Sequence, residues 1–139
     1  MASVIKGKVI VPGTAEGSLL LSDEPLSFWG GYDHRTGEIT DRRHPLSGMN
    51  ATGRVLALPF TRGSSTTTAV LLESVRAETA PAAFLLSEND SFIALASIVA
   101  KEMYGKPIPI VVIPSVALSE LSEASHVKID VNGEITIEE

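Results

Sequence analysis

The stretch RVLALPFTRGSSTTTAVLLESVRAETAPAAFLLSENDSFIALASIVAKEMYGKPIPIVVI, residues 54–113, decides the fold. It contains three short apolar runs typical of buried strands and, between them, two longer segments whose apolar residues recur at helical spacing. The strands are predicted at residues 54–59, 82–86 and 108–113, and the helices at residues 67–76 and 91–104, the second ended by Gly105. This β-α-β-α-β order predicts parallel strands with right-handed crossovers, so functional side chains are expected at the carboxyl ends of the strands.

Both ends of the chain add β-structure to this central unit. Residues 9–11 and 17–21 are short apolar pieces separated by turn residues. The tail alternates over residues 127–131 and 134–137 with Asn132-Gly133 between them, which is a strong hairpin signal. We therefore predict an α/β fold with a β/β/α arrangement, in which β-strands from both chain ends surround a central β-α-β-α-β unit. No repeat or linker divides the sequence, so we expect one domain over residues 1–139.

The composition excludes several classes of protein. With 139 residues, 44% of them hydrophobic and 20% charged, the chain resembles an ordinary globular domain. Its net charge of −6 argues against a nucleic-acid partner, because such binding depends on clustered Lys and Arg, and the only basic cluster is Arg42-Arg43-His44. The N-terminus lacks the apolar core of a signal peptide and no stretch is long enough to span a bilayer, so we expect a cytoplasmic protein with no membrane partner. The absence of cysteine excludes disulfides and any cysteine-ligated metal held by this chain alone.

The segment TRGSSTTT, residues 61–68, is the strongest candidate for chemistry. Its glycine permits a tight turn, and the hydroxyls that follow lie where a helix begins with unpaired N–H groups, which favours an anion. Arg62 beside it can clamp a carboxylate. A serine acting as a base would need such positive surroundings at neutral pH. From spacing alone, the alternative stays open that Ser64 or Ser65 is only an N-cap and Arg62 only a surface residue.

A second candidate is the long segment at residues 25–48, which holds too many glycines and too few aliphatic residues for a long helix. Loops of this length without regular structure tend to be functional. The paired glycines would let the backbone approach a ligand or a partner closely. The candidates for this partner or pocket loop are Phe28, Trp29, Gly30, Gly31 and Asp33. The alternative is that the two aromatic rings fill the core and the glycines only form a turn.

Histidine residues offer weaker candidates. His44 precedes proline and is restricted to extended conformations, so we expect a fixed turn at residues 44–48 that faces the pocket or a partner. His34, His44 and Asp41 lack the spacing of a zinc site, and we predict no metal site on this chain. His126 starts a terminal strand and is expected to be structural. The sequence lacks a phosphate loop, a dinucleotide fingerprint and a nucleophile elbow, so nucleotide-dependent and hydrolase functions lose their main support.

Taken in order, the motifs resemble those of the small, swivelling-domain subunit of aconitase X-type dehydratases, over nearly the whole chain. They are GTAEG (13–17), PLSFWGGYD (25–33), TGEI (36–39), HPLSG (44–48), RGSS (62–65) and APAA (80–83). The resemblance implies a swivelling domain whose partner is a large catalytic subunit carrying an iron–sulfur or iron centre and most of the substrate contacts. No cofactor is expected on this chain.

The resemblance also implies roles for the loop residues. Ser64, directly after the glycine, is expected to accept a proton, while Arg62, Gly63 and Ser65 bind substrate; other members carry lysine where this chain has Arg62. Iron on the large subunit would polarise the leaving hydroxyl while Ser64 removes a proton from the adjacent carbon. Movement of one domain on the other would admit substrate and then exclude water.

Two activities of the family are compatible with this resemblance. The motifs at residues 28–33 and 42–46 look more like the bacterial type, which converts cis-3-hydroxy-L-proline to Δ1-pyrroline-2-carboxylate, than the archaeal type, which dehydrates mevalonate 5-phosphate. We therefore expect a hydroxyproline dehydratase subunit that is active only with its large subunit. A hypothesis of another class is a non-catalytic swivelling or interaction module that docks a partner through the Trp29 loop.

Overall fold

The computed structural model describes residues 2–62, 64–123 and 125–138. The strands of these residues are β1 (Ala2–Lys6), β2 (Lys8–Val11), β3 (Ala15–Leu21), β4 (Leu26–Ser27), β5 (Val55–Leu58), β6 (Thr61–Arg62), β7 (Ala83–Leu86), β8 (Ile110–Val112), β9 (His126–Ile129) and β10 (Glu134–Glu138). The helices are α1 (Ser65–Arg76), α2 (Ser91–Tyr104) and α3 (Ser115–Ser119). The central order β5-α1-β7-α2-β8 is the predicted one.

One large sheet carries most of these strands, in the order β1-β10-β9-β3-β5-β7-β8-β2. Strands β3, β5, β7 and β8 run parallel, whereas the strands at either end pair antiparallel with their neighbours. The two edge strands are joined by Gly7 alone, so the sheet is nearly closed on itself. Gly7 permits this closure, because a Cβ at that position would lie 2.3 Å from Cγ1 of Val111.

The alternation of side chains along the parallel strands builds two cores. In β5, Leu56 and Leu58 belong to the cluster that contains the buried faces of α1 and α2, whereas Val55 and Ala57 belong to a cluster shared with β9 and β10. All four side chains are fully buried, as expected for a parallel strand that is covered on both faces. The second cluster fills the inside of the curved sheet, so strands from both chain ends complete it.

The long segment at residues 25–48 is tied to the C-terminal end of α1. The Tyr32 hydroxyl donates to the Thr79 carbonyl at 2.7 Å, and the Thr79 hydroxyl donates to the His34 carbonyl at 2.5 Å. Burial raises the pKa of the Tyr32 hydroxyl, which keeps it a donor. This segment therefore has a defined conformation although it contains little regular structure.

The predicted α/β class is confirmed, with strands from both ends and the helices between them. The predicted hairpin forms as β9–β10, with the Asp130 carboxylate accepting from the N–H groups of Asn132 and Glu134 at 2.9 and 3.0 Å. Helix α2 ends at Gly105, which is left-handed with φ 67°. None of the helices in the described part of the chain has the length and apolar content needed to cross a membrane.

Candidate active site

The two candidate loops, predicted separately, lie side by side. Strand β6 pairs in parallel with β4, which places Arg62 opposite Ser27. The contact continues at the next peptide, because the Phe28 N–H donates to the Arg62 carbonyl at 3.1 Å. Since β6 follows β5 and precedes α1, the loop lies beyond the carboxyl end of a parallel strand, where a site was expected.

Ser64 occupies the N-cap position of α1, but its side chain makes no capping hydrogen bond. Its φ of 52° and ψ of −131° lie in a region that residues other than glycine rarely adopt. Its carbonyl accepts from the Thr67 N–H at 3.0 Å, whereas its exposed hydroxyl has no partner among the described residues. The N-cap alternative thus accounts for the backbone position of Ser64 and not for its hydroxyl.

Two sources of positive charge adjoin Ser64 along the chain, the Arg62 side chain and the N-terminus of α1. The Arg62 guanidinium is exposed, 5.9 Å from the centroid of the Phe60 ring, and no carboxylate of residues 2–62, 64–123 or 125–138 forms a salt bridge with it. Ser65 is the exposed first residue of α1, and the first turn of that helix carries no acidic side chain to offset the helix dipole. Gly63 lies outside the described residues. This loop can attract a carboxylate, and the individual roles of its residues stay predictions.

Asp90 is a residue of this region that the sequence analysis missed. It is 8% exposed and is the N-cap of α2, where one carboxylate oxygen accepts from the N–H groups of Phe92 and Ile93 at 3.1 and 3.3 Å. The other oxygen accepts from the N–H and the hydroxyl of Thr61 at 2.8 and 2.5 Å. An aspartate directly before a helix signals a cap, but its contact with Thr61 depends on the tertiary fold.

The adjacent aromatic residues of the partner or pocket loop have different environments. Phe28 is fully buried, with its ring centroid 5.0 Å from that of Tyr32 and 6.2 Å from that of Phe84. Trp29 is 75% exposed. The alternative that both rings fill the core therefore holds for Phe28 and not for Trp29, so of these two rings only that of Trp29 is available to a partner.

The paired glycines that follow form a tight turn next to β4. Gly30 is exposed with φ 78°. Gly31 is buried, and a Cβ there would lie 2.0 Å from the Ser27 carbonyl oxygen. A residue larger than glycine at position 31 would clash with the Ser27 carbonyl and open the turn that carries Trp29.

Asp33 closes a turn within the same segment. The backbone N–H of Arg35 and then its guanidinium, both bonded to the carboxylate, hold the pKa of the Asp33 carboxyl below its usual range. The folded protein therefore favours the charged form, and this stabilisation is present above the ordinary aspartate pKa of about 4 and is lost as the pH falls below it. We expect Asp33→Asn to melt at a lower temperature than the wild type at pH 7, by a small margin because the pair is exposed.

Thermal denaturation of the two proteins between pH 7 and pH 2.5 measures this margin, which should shrink as the pH falls. A constant or widening margin over that range would contradict the assignment. Arg35→Ala is the matched variant, since it removes the guanidinium and leaves the backbone N–H bond in place.

His44 is buried at the start of the predicted turn. Its Nδ1 accepts from the Leu46 N–H at 3.1 Å, which assigns the proton to Nε2, 3.3 Å from the Glu24 carbonyl and 3.4 Å from the Ser22 hydroxyl. In the described part of the chain, no group of three or more His, Cys, Asp or Glu side chains is placed to hold a metal ion. His44 thus ties the turn to the segment after β3.

A cavity of about 540 Å³ lies at the same end of the parallel strands but is not lined by the candidate loop. Its walls include Leu21, Pro59 and Ser87, which follow or end β3, β5 and β7, and Leu118 of α3. Leu118 belongs to the cluster inside the curved sheet, whereas α1 packs in the cluster that contains Leu56 and Leu58. We place the candidate site at the Ser64 loop, since neither Arg62 nor the N-terminus of α1 lines the cavity.

Known proteins resemble this chain over nearly its whole length. A family model described as the aconitase X swivel domain matches residues 4–137. The chain is 50% identical over 109 residues to a cis-3-hydroxy-L-proline dehydratase of Pseudomonas aeruginosa, covering 78% of this chain and 19% of that protein. It is 36% identical over 134 residues to the phosphomevalonate dehydratase small subunit of Pyrococcus furiosus, covering 96% of this chain and 94% of that protein.

A solved structure gives the same result. The crystal structure of Thermococcus kodakaraensis aconitase X in its holo form matches with a TM-score of 0.86 and 33% identity, over 99% of both chains. The chain spans about a fifth of the length of the cis-3-hydroxy-L-proline dehydratases it matches and nearly all of the Pyrococcus small subunit. The resemblance seen in the motifs is confirmed, and this chain belongs to the aconitase X swivel domain family.

Proposed function

We propose that this chain is the swivelling small subunit, or the corresponding domain, of a dehydratase in which Ser64 accepts a proton from a hydroxylated carboxylic acid. The observation that carries the proposal is the Ser64 hydroxyl, which is exposed, takes no part in the cap of α1 and lies two residues from an unpaired Arg62 guanidinium. The relatives support the reaction class, since they are named as dehydratases.

The chemistry assigned to this chain is removal of a proton. A serine hydroxyl is a weak base unless positive charge stabilises its alkoxide, and we assign that role to the Arg62 guanidinium, with the positive end of the α1 dipole beside it. Ser64 takes the proton from the carbon adjacent to the one that bears the hydroxyl, and the electron pair of that C–H bond forms the new double bond. The C–O bond breaks at the same time, and the departing hydroxide takes up a proton, so that one molecule of water leaves overall.

The exposure of the Ser64 loop indicates that residues outside this chain complete the site. Trp29 and Arg62 are both exposed, on segments that pair through β4 and β6, whereas an active site normally encloses its substrate. We assign the remaining walls to a large subunit, or to the rest of a longer chain, because the relatives are either small subunits or longer proteins of which the match covers about a fifth.

We assign the predicted iron–sulfur or iron centre to that large subunit as well. This chain has no cysteine, and its described residues offer no cluster suited to a metal ion. The residues of this chain therefore do not fit such a centre, and no step of the reaction described here passes through it.

We favour cis-3-hydroxy-L-proline as substrate. Elimination across C2 and C3 gives a cyclic enamine, and transfer of the ring N–H proton to C3 converts that enamine to the product, Δ1-pyrroline-2-carboxylate. The identity of 50% to the Pseudomonas dehydratase supports it, against 36% and 40% to the phosphomevalonate dehydratase small subunits of Pyrococcus and Methanothermobacter. Mevalonate 5-phosphate is the second candidate, because this chain aligns with nearly the full length of phosphomevalonate dehydratase small subunits. The Arg62 guanidinium can pair with the carboxylate that both substrates carry.

Assay of the complete enzyme, either the two-subunit complex or a longer chain that contains these residues, separates the two candidates. Water elimination from each substrate is followed at equal concentrations. We expect turnover of cis-3-hydroxy-L-proline and little or none of mevalonate 5-phosphate. The reverse preference would overturn the substrate assignment and leave the reaction class intact, whereas inactivity toward both would contradict the proposed function.

A further inference from the structure

We propose that Asp90 is a positioning residue for the Ser64 loop, an inference that rests on the proposed function. A capped helix needs one acceptor oxygen at its N-cap, and one oxygen of Asp90 already accepts both of the α2 bonds. The second oxygen is directed to a different element, where it accepts from the N–H and the hydroxyl of Thr61, 29 residues away. One buried carboxylate thus joins the start of α2 to the start of the loop.

Thr61 connects Asp90 to the Ser64 loop. It lies three residues before Ser64 and is paired with Leu26 between β6 and β4. On the far side of the loop, the Thr67 hydroxyl donates to the Arg62 carbonyl at 2.9 Å and the Thr67 N–H to the Ser64 carbonyl at 3.0 Å. Hydrogen bonds therefore hold the loop on both sides of Ser64, and Asp90 accepts those on the N-terminal side.

The backbone conformation of Ser64 depends on these hydrogen bonds. A serine with φ 52° and ψ −131° keeps that conformation only when its surroundings impose it. If the Thr61 attachment is lost, Ser64 can relax toward a more common conformation, and its hydroxyl then moves relative to the substrate. A misplacement of about 1 Å at a reacting group can lower the rate by about 10²-fold.

The test compares variants in the complete enzyme. Asp90→Asn keeps an oxygen for the α2 cap but turns an N–H₂ group toward the Thr61 N–H, which removes that bond. Thr61→Val removes only the bond from the hydroxyl to Asp90, whereas Thr61→Ser keeps a hydroxyl that can make it. We expect kcat to fall by about 10- to 100-fold for Asp90→Asn and by a smaller factor for Thr61→Val. KM should change by less than about threefold in both, because the attachment aligns the base more than it binds substrate.

The matched control is Asp130→Asn, which makes the same replacement at a carboxylate that also accepts two backbone N–H bonds, in the β9–β10 turn. It should leave kcat unchanged. Wild-type kcat in Asp90→Asn and Thr61→Val, or equal loss in Thr61→Val and Thr61→Ser, would overturn the inference. If Asp90→Asn fails to fold, the two Thr61 variants decide it. The proposed function fails separately, if Ser64→Ala keeps the wild-type rate.

Discussion

Replacing Ser64 with alanine is expected to lower the kcat of the complete enzyme by about 10²–10⁴-fold, the usual loss when a general base is removed. The hydroxyl of Ser64 is exposed and has no partner among the residues that the structure describes, so its removal breaks no contact of the fold seen here. The complex should therefore still assemble. Steady-state kinetics and size-exclusion chromatography of the same preparation measure the two effects together.

Ser64→Gly is the control for this result. Glycine adopts φ 52° without the cost of about 1–3 kcal/mol that other residues incur in sparsely populated regions. The glycine variant should be at least as stable as the alanine variant and equally inactive, which separates loss of the base from loss of the fold. An alanine variant with near wild-type kcat would instead support a non-catalytic interaction module.

Replacing Phe28 with alanine is expected to lower the free energy of unfolding by about 3–5 kcal/mol. Its ring is fully buried and lies against Tyr32 and Phe84, in the core that contains the buried faces of α1 and α2. Removal leaves a cavity that rigid neighbours fill only in part. Urea denaturation of the variant and the wild type gives the difference.

Trp29→Ala is the matched variant, one residue along the chain. The Trp29 side chain is 75% exposed, so its loss should change the free energy of unfolding by less than about 0.5 kcal/mol. We expect it to raise the dissociation constant for the large subunit by about tenfold or more, as for an aromatic residue at the centre of an interface. Equal destabilisation by the two variants, or unchanged binding in Trp29→Ala, would contradict the assignment of Phe28 to the core and Trp29 to the interface.

The central part of the fold was predictable because its strands are buried on both faces. Apolar runs such as residues 54–59 are detectable for that reason, and the β9–β10 hairpin follows from the local chemistry of Asn132-Gly133. Strand β1 was missed because its partner, β10, lies at the other end of the chain. Strands β4 and β6 have two residues each and α3 has five, which is too few to show a period.

The candidate site was predictable in outline. The order glycine, serine, serine before a helical stripe indicated the loop, but whether Ser64 caps α1 with its side chain depends on dihedral angles that the sequence does not encode locally. Two adjacent aromatic residues gave no sign that Phe28 would be buried and Trp29 exposed. The bond between Asp90 and Thr61 joins two elements whose contact arises only when α2 packs on the sheet.

The central claim is that this chain supplies a catalytic group to a site that it does not complete alone. The most direct measurement is the rate of water elimination from cis-3-hydroxy-L-proline by the large subunit when it is given no second chain, this chain, or its Ser64→Ala variant. We predict turnover only with the wild-type chain, and none by that chain alone. Equal rates with and without this chain, or with the wild type and Ser64→Ala, would contradict the account.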